Sequence, residues 1–430
     1  MKRMQHKWIV LGMSMAVLLA GCGGKQTGAA DEGEKKAAEN REPVTLNFLY
    51  NGYSKELLEE LKAKVEKQLP HIKLNVMLEG KGNMLEDVIG AGVSVDAIAR
   101  AAGGLPGTLK DRLVTDLTPY MTKQKFDINR FSPGVLETVR SYSDKGEFLL
   151  MPYELNNSTL YYNKSLFDKF GVPYPTDDMT WDQVYDLTKK MTRVEAGIKY
   201  KGFKFSALNL AFRNQMGLPF IDPVTGKTPI NTEPWKKWVE SMVRFYEIPG
   251  NEPSAEDTAN FFTNQTLAMM AGPSPLDLLP AAVQKGLDWD VVTLPHYEGM
   301  KGVGSQMNAP FYSIMPTSKH KDETFEVLAY IVSDEIQAAN ARKGHVPVLK
   351  DEKVLNDFGK DLDILKGKNV KAFYAEKIAK PVPTVINDGG IRSKLSSIID
   401  TFVTSQQDLN SMLRKAEEDA NKQIEEQNKK

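Results

Sequence analysis

The sequence predicts an α/β fold whose N-terminal part contains a parallel sheet. Residues 44–50 and 72–76 alternate between apolar and polar side chains, as strands with one buried face do. A helical pattern at 54–69 separates them, and a helix near 83–91 and a strand at 95–99 continue the order. Strands that alternate with helices are typical of a parallel sheet with helices packed on its faces.

The first helix has recognisable ends. Ser54 is a residue type that caps helix N-termini, and Pro70 stops a helix because it has no amide proton. The apolar residues between them share one face: Leu57, Leu58, Leu61 and Val65. Ligands of parallel sheets gather at the carboxyl ends of the strands, so we expect Tyr50, Tyr53 and residues 100–104 near a ligand.

The rest of the chain is predicted to be mostly helical. Thr180 is the expected cap of a helix that begins at Trp181, and Pro234 introduces a helix at 235–246. Further helices are predicted at 255–263, 276–285, 322–333, 335–342 and 391–424, the last with a break at 404–408, and further strands at 289–294 and 311–315. We predict that four tryptophans pack in the core: Trp181, Trp235, Trp238 and Trp289.

The N-terminus has the order of a bacterial lipoprotein leader. Three basic residues precede an uncharged run at 8–20, which is too short to span a bilayer. The sequence Leu19-Ala20-Gly21-Cys22 then resembles a lipobox, in which the cysteine is acylated and becomes the mature N-terminus. We therefore expect residues 1–21 to be a signal peptide and Cys22 to hold the protein on the extracytoplasmic face of the cell membrane. The alternative is a secretory leader followed by an incidental buried cysteine.

Composition narrows the class of protein. Residues 22–42 lack large apolar side chains and are predicted to form a flexible tether. Removal of residues 1–21 takes away three basic residues and no acidic one, which leaves 52 basic against 56 acidic residues. A net charge of −4 does not fit a nucleic-acid-binding protein. Because Cys22 is the only cysteine, no disulfide can form within the chain and no cysteine-based zinc site is possible.

Catalytic and cofactor motifs are missing from the sequence. The five histidines show no metal-binding spacing, and there is no Gly-x-Ser-x-Gly elbow and no phosphate-binding loop. We expect no metal and no cofactor. A glycoside hydrolase needs two facing carboxylates, and Glu154 is a candidate acid without an identifiable second one.

Several segments occur in the order and spacing of a known family. They are LYYNKSLF at 160–167 with FGVPYP at 170–175 and TWD at 180–182, LAMMAGP at 267–273, DVVTLP at 290–295, the segment 313–328, and GHVPV at 344–348. Over about residues 43–425 the chain resembles the extracellular solute-binding proteins of bacterial ABC importers, in the group that takes sugars and oligosaccharides.

The resemblance implies a periplasmic-binding-protein-like fold, with two α/β lobes joined by a hinge around a ligand cleft. Lobe one would comprise residues 43–155 plus 291–343, and lobe two residues 156–290 plus 344–430. The protein would be a monomer and no enzyme. It would bind a carbohydrate and deliver it to ABC permease subunits in the membrane.

The resemblance also implies where ligand binds. The implied contacts lie at the end of the first strand, on the two crossings between lobes and in lobe two: Tyr50, Asn51, Tyr53, Glu154, Asn156, Asn157, Asn209, Phe212, Asn214, Ser274, Met307 and Asn308. Many relatives have tryptophan where this chain has Ser274, and larger residues where it has Ala101, Ala102 and Gly103. We therefore predict a roomier site with less aromatic stacking.

Three other functions stay open at this point. The chain could be a receptor for another solute, such as a polyamine or an organic anion, and only Arg100 and Arg213 lie near the expected cleft to pair with an anion. It could be a secreted glycan-processing enzyme. It could also be a lipoprotein that signals through a membrane partner without transport.

Overall fold

Two five-stranded sheets organise the chain in a computed structural model, which describes residues 41–52, 55–382, 389–405 and 407–428. Several predictions concern residues outside these ranges: the signal peptide, Cys22, nearly all of the tether and Tyr53. The strands are β1 Val44–Tyr50, β2 Ile72–Leu78, β3 Ala97–Arg100, β4 Met151–Pro152, β5 Thr159–Asn163, β6 Arg193–Glu195, β7 Ile198–Phe205, β8 Leu267–Gly272, β9 Trp289–Val292 and β10 Phe311–Ile314.

Helices cover both sheets. They are α1 Lys55–Gln68, α2 Leu85–Gly90, α3 Leu105–Lys110, α4 Thr118–Lys123, α5 Pro133–Arg140, α6 Lys164–Phe170, α7 Trp181–Met191, α8 Ala207–Phe212, α9 Glu233–Val243, α10 Asp257–Phe262, α11 Leu279–Gln284, α12 Lys321–Ile331, α13 Asp334–Arg342, α14 Glu352–Leu355, α15 Gly389–Ser405 and α16 Leu409–Asn428.

The first sheet has the strand order β2-β1-β3-β10-β4. Strand β1 pairs in parallel with β2 and β3, which confirms the parallel sheet predicted from the N-terminal pattern. Strand β10 pairs antiparallel with β3 and with β4, although it comes much later in the chain. The first sheet is therefore built from two distant parts of the sequence.

The second sheet has the order β6-β7-β8-β5-β9. Strands β7 and β8 are parallel, while β5 pairs antiparallel with β8 on one side and β9 on the other. The expected boundary between residues 290 and 291 falls inside β9, whose whole length pairs with β5. The second sheet thus extends to Val292, two residues beyond the predicted boundary.

Local signals in the sequence explain several of the elements. Helix α7 begins with a capping box, in which the Gln183 amide donates to Thr180 Oγ1 at 3.2 Å and Gln183 Oε1 accepts from the Thr180 amide at 2.8 Å. Helix α6 ends at Gly171, whose φ of 63° is the left-handed conformation that favours glycine. Helices α15 and α16 are separate, so the predicted break at 404–408 is confirmed.

The buried apolar core includes residues from the strands of both sheets. The four tryptophans are all buried, which confirms the prediction for Trp181, Trp235, Trp238 and Trp289. Helices α15 and α16 pack with α8 and α9 on one face of the second sheet. Residues from 346 to 373 pack in a cluster that contains strands of both sheets. This segment, expected in lobe two, therefore lies at the junction of the two lobes.

Candidate functional site

Two connections run between the sheets, at 153–158 and at 293–310, and they are bonded to each other. The Asn156 amide donates to the Asn308 carbonyl oxygen at 2.7 Å. The Leu155 amide donates to the Val346 carbonyl oxygen at 2.8 Å, which adds a third segment to the junction. The predicted site residues of both crossings are therefore brought together.

Side chains extend this junction into the second sheet. The Ser274 amide donates to Asn156 Oδ1 at 2.9 Å, immediately after β8. On the other side, Arg213 Nη2 donates to Asn308 Oδ1 at 2.5 Å, and Arg213 Nη1 donates to Asn209 Oδ1 at 3.1 Å. Hydrogen-bonded amide side chains and one guanidinium group thus lie in a row where the two sheets meet.

Four predicted residues line one pocket on this junction, which we call the hinge pocket. They are Glu154, Asn156, Asn157 and Ser274, and His345 joins them. The pocket has a volume of about 910 Å³, with the open solvent at its mouth included. Glu154 Oε2 lies 2.6 Å from His345 Nδ1, and this hydrogen bond raises the pKa of His345 above its ordinary value. The hinge pocket therefore contains an ion pair as well as amides.

Two more predicted residues, Phe212 and Met307, line a second pocket with Arg213, which we call the arginine pocket. Its volume, with the open solvent at its mouth included, is about 690 Å³. Its walls come from the N-terminal region, from α8 and the loop after it, and from the second crossing: Ala102, Leu105, Thr138, Tyr142, Phe212, Arg213, Leu218, Phe220, Ile221, Gln306, Met307, Ala309, Pro381 and Val382. A ligand in this pocket would contact both lobes.

Asn51 lies at the carboxyl edge of the first sheet, where the strand pattern predicts a ligand site. Its Nδ2 donates to Glu79 Oε2 at 2.9 Å, and Arg100 Nη2 lies 2.8 Å from Glu79 Oε1. Asn51 is exposed but lines neither pocket. The three polar side chains form a separate cluster at the ends of β1, β2 and β3.

Two residues that were expected to contact ligand have side chains that are used inside the protein instead. The Tyr50 side chain is fully buried in the first lobe, 5.9 Å from the ring of Tyr312. The Asn214 amide closes a turn, since its Nδ2 donates to the carbonyl oxygens of Ala211 and Leu218 at 3.0 Å. These side chains serve the core and the turn, because β1 ends with its last residue pointing inward and α8 ends in a tight loop.

Sequence reasoning missed part of both pockets. Tyr142 and Phe220 line the arginine pocket without any motif that marks them, and the GHVPV segment does not mark His345 as a site residue. The sequence places Arg213 near the cleft as a cation, but the contacts implied by the resemblance do not include it. Its position next to Phe212, with the guanidinium 4.6 Å from the ring centroid, is a tertiary feature.

The sequence of the chain also matches a family of known proteins. The model of the family described as bacterial extracellular solute-binding protein matches residues 51–338, which is more than half of the chain. The chain belongs to this family. The family is one of binding proteins, so this solute-binding protein is no enzyme, and the glycan-processing alternative is set aside.

Two curated relatives illustrate the range of sequence similarity. The sn-glycerol-3-phosphate-binding periplasmic protein of Brucella abortus (strain 2308) is 27% identical over 194 residues, 41% of this chain. That match covers 42% of the relative's length, less than half. The galactooligosaccharide-binding protein of Bacillus subtilis (strain 168) is 20% identical over 439 residues, which cover 96% of both chains.

Solved structures share the fold along nearly the whole chain. An ABC substrate-binding protein of Listeria monocytogenes in complex with cycloalternan has a TM-score of 0.71 at 20% identity, covering 89% of this chain and 99% of that one. A sugar-binding protein of Xanthomonas citri has a TM-score of 0.72 at 19% identity, covering 90% of this chain and 98% of that one. The solute-binding protein thus has the periplasmic-binding-protein-like fold that the resemblance implied.

Two features are absent from the described part of the chain. None of the helices there has the length and hydrophobicity that a membrane span requires. No group of three or more metal-ligating side chains was found among the same residues.

Proposed function

We propose that this solute-binding protein is a lipid-anchored extracellular receptor. It binds a carbohydrate, of oligosaccharide size, between its two lobes and delivers it to an ABC importer. The observation that carries this proposal is the row of amide side chains at the junction of the lobes, beside a pocket with aromatic walls. Sugar hydroxyls are bound by amides and carboxylates, and sugar rings pack on aromatic side chains.

The junction also supports a mechanism for capture. Ligand contact with both lobes would favour a closed arrangement, in which the lobes rotate about the crossings at 153–158, 293–310 and 343–344. The lobe boundaries are part of this proposal: 43–155 with 293–343 in lobe one, and 156–292 with 344–430 in lobe two. We propose that the receptor acts as a monomer and that the closed form docks on the permease.

The comparisons favour carbohydrate as the ligand class. The Bacillus subtilis relative, matched along 96% of both chains, is named for galactooligosaccharide, and the Listeria monocytogenes structure holds cycloalternan. A receptor for another small solute is the second candidate, because the Brucella abortus relative is named for sn-glycerol 3-phosphate and Arg213 can pair with an anion.

Ligand screening of the mature chain tests the proposal. We expect an oligosaccharide to raise the melting temperature by mass action, with submicromolar to micromolar affinity by calorimetry and with no product. The panel includes neutral oligosaccharides, monosaccharides, sn-glycerol 3-phosphate and putrescine. Stabilisation by a non-saccharide alone would contradict the carbohydrate proposal. Loss of uptake of the labelled hit in cells without the gene would support delivery to an importer, whereas unchanged uptake would favour a signalling role.

A further inference from the structure

Arg213 is a buried cation in a pocket with no acidic wall. Only 7% of the residue is exposed, and the lining of the arginine pocket contains no aspartate or glutamate. Burial lowers the pKa of the guanidinium, and the positive charge of Arg392 lowers it further. A charge taken out of water is costly unless an opposite charge or a full set of hydrogen bonds replaces the lost solvation.

The hydrogen bonds of Arg213 go to neutral groups. Its two Nη atoms donate to the amide oxygens of Asn209 and Asn308, at 3.1 and 2.5 Å. Its buried Nε has no acceptor within the part of the chain that the structure describes. The guanidinium fork, which presents its N–H groups in one plane, therefore keeps donors that no described residue uses.

Two other shielded cations among the described residues are paired with acids. Lys201 Nζ lies 2.6 Å from Asp257 Oδ1, and the two side chains are 12% and 2% exposed. Arg100 is paired in the same way with the buried carboxylate of Glu79. Arg213 departs from this pattern: across 41–382 and the described C-terminal helices, no carboxylate forms an ion pair with it.

A second guanidinium lies close to the same pocket. The Arg392 guanidinium lies 3.9 Å from the centroid of the Phe212 ring, and the Arg213 guanidinium lies 4.6 Å from that centroid. The ring therefore has two cations within cation–π distance. The Arg213 guanidinium lines the arginine pocket itself, and an anionic group there would meet its positive charge directly.

We propose that the arginine pocket binds a saccharide that carries an anionic group, either a carboxylate or a phosphate. The anionic oxygens pair with the Arg213 guanidinium, which suits bidentate binding of both groups. The sugar ring lies against the apolar wall formed by Tyr142, Phe220 and Met307. This inference rests on the proposed function and narrows its ligand class to acidic oligosaccharides.

Matched pairs of ligands test the inference on the mature chain. Trigalacturonate is compared with its carboxyl-reduced form, galactotriose, and maltose 6′-phosphate with maltose, while sn-glycerol 3-phosphate serves as an anion without a sugar ring. We expect an acidic saccharide to bind at least about ten-fold tighter than its neutral counterpart, since hydrogen bonds between two charged groups are stronger than neutral ones. The two pairs distinguish a carboxylate from a phosphate.

Variants assign the preference to Arg213. Arg213→Gln is expected to remove the preference for the acidic ligand and to leave the melting temperature of the free protein unchanged or higher, because it removes a buried charge without an acidic partner. Arg244→Gln is the matched control. The Arg244 guanidinium lies 4.8 Å from the Tyr185 ring centroid, and its Nη1 lies 2.7 Å from Asp182 Oδ1. Because Arg244 lines neither pocket, this variant should keep the preference for the acidic ligand.

The outcomes separate this inference from the proposed function. If neutral oligosaccharides bind as tightly as their acidic partners, the inference fails and the carbohydrate receptor stands. If Arg213→Gln keeps the acidic preference, or loses stability without loss of that preference, Arg213 is structural and the inference fails. If only sn-glycerol 3-phosphate binds, or if no saccharide binds, both the inference and the proposed function fail.

Discussion

The backbone amide of Asn156 donates to the carbonyl oxygen of Asn308 at 2.7 Å, so two of the connections between the lobes are bonded to each other. The side chains of Asn156 and Asn308 form hydrogen bonds beside different pockets. Asn156 Oδ1 accepts from the Ser274 amide beside the hinge pocket, and Asn308 Oδ1 accepts from Arg213 beside the arginine pocket. Direct hydrogen bonds therefore connect the two crossings with residues at both pockets.

Asn156→Ala is expected to weaken saccharide binding by about ten-fold or more. The substitution would remove the proposed partner of a ligand hydroxyl, and a polar group left without its partner costs about 1–3 kcal/mol. It also removes the acceptor of the Ser274 amide, which affects the stability of the free protein as well. Calorimetric titration with the hit from the screen measures the affinity. Asn410→Ala, at an exposed position in α16, is the control. An unchanged affinity in the Asn156 variant would remove this residue from the site.

The Glu154–His345 pair predicts a pH-dependent contribution to stability. The pKa of His345 is raised in the folded state, so its contribution is fully present below the unfolded value of 6.5 and is lost as pH rises through the folded value. His345→Gln should therefore lower the free energy of unfolding more at pH 5.5 than at pH 9. Denaturant titrations at the two pH values measure this difference, with the half-buried His320→Gln as control. An equal effect at both pH values would contradict the prediction.

Substitution of Glu376 is expected to stabilise the protein, whereas substitution of His345 is expected to destabilise it. Burial raises the pKa of its carboxyl from 4.5 to about 8, and nearby Asp178 and Asp177 add to the shift. The unfolded carboxyl loses its proton near pH 4.5 but the folded one only near pH 8, so stability falls as pH rises between these values. Glu376→Gln should raise the melting temperature at pH 8.5 relative to the parent, with little change near pH 4.5.

The control for this substitution is Glu298→Gln, at an exposed position. Melting curves of both variants and the parent across that pH range are compared. A parallel shift of the Glu376 variant at all pH values would show that titration of this carboxyl is not the cause.

Trp235 anchors the core of the second lobe. Its ring is buried, and its centroid lies 5.7 Å from that of the Trp238 ring in an edge-to-face arrangement. Its Nε1 donates a hydrogen bond to the Pro219 carbonyl oxygen at 2.8 Å. Trp235→Ala should lower the free energy of unfolding by about 3–5 kcal/mol. Denaturant titration measures the loss, and Lys237→Ala, on the exposed face of α9, should be near neutral. A loss below about 1 kcal/mol would contradict the assigned packing.

Cys22→Ser tests the proposed membrane anchor. Because a thioether-linked lipid requires the cysteine sulfur, we expect the variant to leave the membrane fraction and to enter the medium or the soluble extracytoplasmic fraction. Cell fractionation followed by immunoblotting measures the distribution. Substitution of Ser14 by Ala, within the leader, keeps the cysteine and is the control. A Cys22 variant that stays with the membrane would disprove anchoring through this residue.

The sequence predicted the elements whose signals are local. The capping residues of α7, the proline that introduces α9 and the break between α15 and α16 were all recognisable, because each depends on neighbours within a few positions. The burial of Trp235 and Trp238 followed from their spacing on one helix face.

The site was less predictable because it is made by distant residues. Tyr50 is at the expected strand end, yet its direction depends on packing against Tyr312. The pairing of Glu154 with His345 and the isolation of Arg213 from acids are likewise products of the tertiary fold. Residue types alone indicated polar contacts on the crossings but not which pocket each side chain would face.

The position of β10 has a consequence for the order in which the chain can fold. A chain that emerges from its N-terminus, from a ribosome or across a membrane, presents β3 and β4 well before residues 311–314 arrive to pair with both. Until then β4 has no neighbour in its sheet and β3 has an open edge, which is an aggregation hazard. Completion of the first lobe must therefore wait for most of the chain, and contacts of such long sequence separation make folding slow. N-terminal fragments that end before Phe311 would expose this edge permanently.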